Sequence, residues 1–151
     1  MPHDFENFPE LANSQMDIYY WESPHKQITY SFNADVVKVH DGDTCTVRCN
    51  FRDFDFPVRM LDTNSPELNE EGGHEARDFL KGIIENEQVY IQINPQNRVG
   101  KWGRLLGTII HRGLSINELM VQAGKATPFA QRNEGKIPNL EKELANAIKF
   151  R

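Results

Sequence analysis

The chain has 151 residues, with 17 Lys+Arg against 22 Asp+Glu for a formal net charge of −5, and 38% of its residues are hydrophobic. That length suits a single domain, and the apolar fraction supplies a core, so wholesale disorder, collagen-like and disulfide-scaffold architectures are excluded. No apolar run approaches the roughly 18 residues of a membrane span, the opening MPHDFENFPE lacks the basic and apolar regions of a signal peptide, and the mean acidity argues against a general nucleic-acid coat protein.

Residues 1–25 are polar and aromatic and contain Pro2, Pro9 and Pro24. They read as an N-terminal arm or an added edge segment, distinct from a domain over 26–151. From Ile28 the β signal is strong. ITYSFNADVVKVH is rich in β-branched and aromatic residues and stops at Asp41-Gly42. TCTVRCNF alternates and stops at Arg52-Asp53. FDFPVRML follows, its Pro57 marking a strand start or an edge. Hairpin corners at 41–42 and 52–53 make these three strands a meander. Cys45 and Cys49 fall on one strand face about 13 Å apart, too far for a disulfide.

Helical periodicity then takes over. Ala76, Phe79, Leu80, Ile83 and Ile84 form one apolar stripe in HEARDFLKGIIEN, with Gly72-Gly73 as a flexible entry. QVYIQIN and RLLGTIIH read as two further strands. Ser115 is set to cap a helix over SINELMVQAG, with Ile116, Leu119, Met120 and Ala123 on one face and Gly124 as its stop. Pro138-Asn139 opens a last helix with Leu140, Leu144 and Ile148 on one side. The order β-β-β-α-β-β-α-α is that of a five-stranded OB barrel with packed helices, mainly β with α. An α+β sheet with helices on one side is the competing architecture.

Charge is uneven along the chain. Residues 1–95 carry a net −11 and residues 96–136 a net +5. Three short segments concentrate the candidate chemistry: HDGDT at 40–44, RMLDTNSPE at 59–67 and KWGR at 101–104. Each lies at the end of a β element, where a barrel rim gathers side chains. Asp43, Asp62, Glu67 and the Asn64 carbonyl are hard oxygen donors that suit Ca²⁺ or Mg²⁺ rather than zinc or copper. Arg59 and Arg104 are planar, permanently charged forks that match phosphate oxygens. Carboxylates holding a divalent ion beside two arginines fit attack on a phosphodiester. Asp41 shapes its turn and adds negative potential nearby. His40, His74 and His111 read as structural.

VVKVHDGDT, VRMLDTNSPE, GHEARDFL and KWGRLLGTI, in that order, resemble the staphylococcal nuclease (thermonuclease-like) family over roughly residues 34–126. The resemblance implies an OB barrel and a Ca²⁺-dependent phosphodiesterase acting on DNA and RNA. It implies Asp43 as a metal ligand, Ser65 as a backbone-carbonyl ligand, Arg59 and Arg104 on the phosphate, and Glu67 as general base or water-orienting carboxylate. Lys101 and Trp102 would lie near the nucleotide; a base stacked on Trp102 is worth about 1–3 kcal/mol, and packing of Trp102 against the barrel is the alternative.

One departure concerns the second metal aspartate. Without a gap between Arg59 and Glu67 it falls on Asn64, which keeps a ligating carbonyl and loses a charge. A gapped register makes Asp62 the ligand instead. The ungapped register preserves the Arg-to-Glu spacing, and on an extended chain Asp62, two residues from Asn64, stays near enough to help. A second departure is the short link from Leu68 to Gly73 after Glu67. The expected enzyme is an intracellular or viral monomer with little sequence preference and no membrane association. The rival is a non-catalytic module of the same fold that binds nucleic acid, or a protein partner through the arm.

Overall fold

The computed structural model describes residues 3–100 and 103–128. The last predicted helix, with Leu140, Leu144 and Ile148, and the predicted site residues Lys101 and Trp102 lie outside the described residues.

Strands β1 (Phe32–Asp41), β2 (Thr44–Arg48) and β3 (Phe56–Met60) form the meander. Asp41 pairs with Thr44 and Val39 with Cys45 across the first hairpin. Thr44 pairs with Arg59 and Cys45 with Val58 across the second. A two-residue strand, β4 (Thr63–Asn64), follows, and then helix α2 (Gly73–Ile84). An N-terminal helix, α1 (Asn13–Tyr19), which the apolar pattern did not announce, precedes β1. Strand β5 (Gln88–Gln92) pairs with β1, and β6 (Leu105–His111) pairs with β5. Strand β6 then lies parallel to β3, with Val58 against Leu105 and Arg59 against Leu106. This pairing closes five strands, in the order β3-β2-β1-β5-β6, into a mixed barrel of OB type. The short β7 (Leu114–Ser115) extends β6, α3 spans Ile116–Gln122, and β8 (Thr127–Pro128) pairs with β4.

Period-two alternation fills the barrel. Val36, Val39, Cys45, Val47, Val58, Met60, Val89, Ile91, Leu105 and Ile109 are all buried. The α2 stripe covers one end with Ala76, Leu80 and Ile84, backed by Phe79 and Ile83. Ser115 caps α3 by accepting the Glu118 N–H at 3.2 Å, and Ile116 and Met120 enter the core, while Ala123 stays exposed. Both cysteines are free and buried, and burial pushes the Cys45 thiol up to about 12.

The N-terminal segment is docked against the barrel. Helix α1 buries none of its own residues; the anchors flank it. Leu11 is fully buried, Glu10 is 2% exposed, and Gln27 and Ile28 return to the barrel on the far side. The Glu10 carboxylate meets Arg52 of the β2–β3 link at 2.5 Å and Arg98 of the β5–β6 link at 3.9 Å. The Gln27 side chain accepts the Leu11 N–H at 2.6 Å and donates to Pro9 O at 2.9 Å. Arg52 lies over the rings of Phe54 and Phe56, 4.9 and 4.6 Å from their centroids.

Candidate active site

The β1–β2 turn and the end of β3 meet at one end of the barrel. In the turn, Asp41 accepts the Asp43 N–H at 3.1 Å, which fixes the second aspartate relative to the first. Asp43 is only 5% exposed, so its carboxylate needs donors. Thr44 supplies one through Oγ1 at 3.1 Å, the Ser65 N–H a second at 2.9 Å, and Arg59 Nη2 a third at 3.1 Å.

Arg59 reaches this point because of register and alternation. It pairs with Thr44, one residue from Asp43, while its neighbours Val58 and Met60 point into the barrel. Nη1 donates to Met60 O at 3.2 Å and Thr63 O at 3.1 Å, which fixes the plane of the fork. Nη2 donates to both Asp43 Oδ2 and Asn64 Oδ1, the latter at 2.9 Å. Asp43 and Asn64 therefore share one hydrogen-bonding nitrogen.

Glu67 lies on the other side of the turn. It is exposed and lines a cleft of about 540 Å³ with Asp41, His40, Lys38 and Arg77. Its backbone is held from two sides. Its N–H donates to Glu70 Oε1 at 2.8 Å. The first residue of α2 packs so closely that a β-carbon on Gly73 would stand 1.9 Å from Glu67 O. Gly73 is thus a close-approach glycine rather than a flexible entry. Burial, then the neighbouring Asp43 and Glu67 carboxylates, raise the Asp41 carboxyl to about 6.

Arg104 stands immediately before β6. In the parallel register Leu106, two residues after it, pairs with Arg59. Asp62 behaves differently from its two-residue spacing. The chain is not extended there: Asp62 has a φ of 61° and is exposed in a turn. It lines a separate cleft with Gln92, Thr108, Ser115 and Glu118. The structure brings Asp43, Asn64, Ser65 and Arg59 into one hydrogen-bonded set and places Asp62 in the other cleft.

Among the described residues, no three His, Cys, Asp or Glu side chains converge closely enough to hold a metal by themselves. The donors at this end are all oxygen: two carboxylates, the Asn64 amide, and Ser65, whose buried hydroxyl has no hydrogen-bond partner. Crowded acids and an unpartnered hydroxyl fit a hard cation such as Ca²⁺. The histidines fit structural roles. His40 Nε2 is 2.6 Å from Thr46 Oγ1, and burial lowers its pKa; His111 Nε2 is 3.2 Å from Glu87.

A family model described as "Staphylococcal nuclease homologue" matches residues 57–151, from the start of β3 onward. The chain belongs to the staphylococcal nuclease family. An uncharacterized endonuclease of Escherichia coli O157:H7 is 29% identical over 110 residues, 72% of this chain and 69% of that protein. A micrococcal nuclease of Shigella flexneri is 31% identical over 115 residues, 70% of this chain and 62% of that protein. Protein ParB of Escherichia coli is 29% identical over 117 residues, 72% of this chain and 62% of that protein. The family's barrel is the one built here from alternation and register.

Sequence reasoning underrated two contributors to this end of the staphylococcal nuclease fold. Asp41 joins the acidic cluster as well as shaping the turn; the paired aspartates of DGD were the signal. Asn117, beside the apolar stripe of α3, is 5% exposed. It accepts the Ile109 N–H at 3.0 Å and donates to Leu61 O at 2.9 Å, tying β6 to the turn after β3.

Proposed function

We propose that this chain is a metal-dependent phosphodiesterase, an endonuclease that hydrolyses DNA or RNA with little sequence preference. The observation that carries the reading is the hydrogen-bonded set of Asp43, Arg59 and Asn64, with Asp41 and Glu67 beside it. Its relatives named as nucleases support the same reading.

Asp43, Asp41, the Asn64 amide and Ser65 would hold Ca²⁺, with Mg²⁺ as the alternative ion. When bound, the ion supplies Lewis-acid polarisation of a phosphoryl oxygen. The chain's own residues do the rest. Glu67 orients a water on the cleft side and accepts its proton as the oxygen attacks phosphorus. Arg59, its plane fixed by two carbonyls, donates from Nη2 to the phosphoryl oxygens as charge builds there, once Asp43 and Asn64 turn from it toward the ion. Arg104, across the β3–β6 pair, donates to the phosphate and the departing ester oxygen. Lys101 and Trp102 would contact the nucleotide.

The test is incubation of single-stranded DNA and RNA with Ca²⁺, with and without chelator. Cleavage is expected only with the ion, and Glu67→Gln is expected to lower turnover by about 10²–10⁴-fold. Cleavage indifferent to chelator, or a fully active Glu67→Gln, refutes the mechanism. One observation favours the rival, a non-catalytic nucleic-acid-binding module: Asn64 removes a charge where a further carboxylate would grip a cation. Binding of an oligonucleotide in Ca²⁺ without turnover at high protein concentration identifies that case.

A further inference from the structure

Arg104 is carried by a small hairpin. Leu106 N–H donates to Arg98 O at 2.8 Å, Val99 bridges to Leu105, and Gly100 N–H donates to Arg104 O at 2.8 Å. Strand β6 pairs with β3 only from Leu105 onward, so Arg104 is the first residue beyond the barrel's own pairing. A two-stranded hairpin has no core of its own and is marginal in isolation. Its position must be set from outside.

The N-terminal segment sets it at three points. At the base, Arg98 is 3% exposed. Its guanidinium donates to Ile28 O at 2.8 Å, Leu11 O at 2.9 Å and Asn13 Oδ1 at 2.9 Å, with Glu10 Oε1 at 3.9 Å. All three acceptors, and the carboxylate in the longer ion pair, belong to the N-terminal segment. Just before the hairpin, Asn13 Nδ2 donates to Pro95 O at 2.9 Å. At the tip, Phe8 lies against Gly103: a β-carbon there would stand 3.0 Å from Phe8 Cβ and Cδ1. Gly103 also has a φ of +77°, which a side chain tolerates poorly. Phe8 is itself fixed by a local turn, its N–H donating to Asp4 O at 3.0 Å and its carbonyl accepting from His3 Nε2 at 2.7 Å.

We propose that residues 3–31 are a built-in brace for the hairpin, with Phe8 and Arg98 as positioning residues for Arg104. The brace stands on the contacts alone; its catalytic half rests on the nuclease reading. Shifting a catalytic group by about 1 Å costs on the order of 10²-fold in rate, so a hairpin released at tip or base lowers turnover without any change at the barrel end.

The experiment uses the full chain and three variants: Phe8→Ala, Phe8→Leu and Arg98→Lys. Hydrogen exchange without substrate is read at the Gly100, Gly103 and Leu106 amides, with Val36 and Ile109 as barrel controls. In Phe8→Ala and Arg98→Lys the hairpin amides are expected to exchange about tenfold faster or more while the controls keep their protection. On an oligonucleotide, kcat is expected to fall about tenfold with KM within about twofold, and Phe8→Leu to recover most of it. Unchanged hairpin exchange in both variants, or equal loss of protection throughout the barrel, overturns the brace. Looser hairpin amides with an unchanged kcat overturn the positioning role. A wild-type chain that cleaves nothing sinks the nuclease reading and the positioning role with it, and the exchange data still decide the brace.

Discussion

Replacing Glu10 by alanine tests whether the N-terminal segment is part of the folded unit. Its carboxylate is the anion that meets both Arg52, with a side chain 1% exposed, and Arg98, 2% exposed. Removing it leaves two buried guanidiniums with only neutral acceptors. Breaking a buried ion pair from one side costs about 3–5 kcal/mol. The Ile28 N–H also loses its acceptor, Glu10 Oε1 at 3.3 Å, which adds about 1 kcal/mol. The lower end of that sum, a loss of about 4 kcal/mol, is already a large share of the roughly 5–15 kcal/mol that holds a domain together. At about 2–4 °C per kcal/mol for a chain of this size, Tm is expected to fall by roughly 8–16 °C. Glu10→Gln, which keeps the shape and one acceptor oxygen, is expected to lose about half as much. Urea denaturation followed by circular dichroism measures both. Glu10→Ala within about 1 kcal/mol of wild type would refute the reasoning, because an arginine pair left unbalanced in an apolar setting cannot be that cheap.

Asn64→Asp restores a charge beside Asp43 and is expected to tighten Ca²⁺ binding by about tenfold or more, read by calorimetry; Asp62→Asn, in its separate cleft, is expected to leave it unchanged. His25 gives a pH dependence. Burial, with Arg52 beside its ring, lowers its pKa from the usual value, and the hydrogen bond with the Lys26 backbone, then Glu10 and Asp53, oppose that only in part. The unfolded chain therefore takes up a proton at about 6.5 that the folded chain resists, so stability falls as pH drops below that value. Thermal melts at pH 7.5 and 5.5 are expected to show a smaller difference in His25→Gln than in wild type. Asn117→Ala orphans the Ile109 N–H and the Leu61 carbonyl, while Gly107 O keeps the Leu61 N–H at 2.8 Å, and is expected to cost about 2–3 kcal/mol in urea denaturation.

The barrel was legible because its strands alternate and its helices carry stripes. TCTVR buries Cys45 and Val47 as its pattern requires, and the α2 stripe enters the core at Ala76, Leu80 and Ile84. The parallel contact of β3 with β6 leaves no mark in either strand, since both faces of that pairing read as ordinary alternation. The docked N-terminal segment was illegible for a different reason. Glu10, Gln27, Arg52 and Arg98 are residue types that normally face water, and most of what they bind is backbone, which no sequence pattern displays. Asp62 misled because spacing assumes a continuous strand, and one residue with a left-handed φ diverts the chain. Asp43, Arg59 and Asn64 were legible together because residue type and spacing both survive in the fold.

The parallel seam has a consequence for synthesis on the ribosome. When Asp43, Arg59 and Glu67 have emerged, Leu105 and Leu106, which seal the seam against Val58 and Arg59, are still to be made. A nascent or truncated chain ending before β6 carries the acids and one arginine on an open sheet with an unpatched edge. Under the proposed mechanism such a fragment is inert toward the messenger being translated, and competence arrives only with the strand that makes the wall continuous.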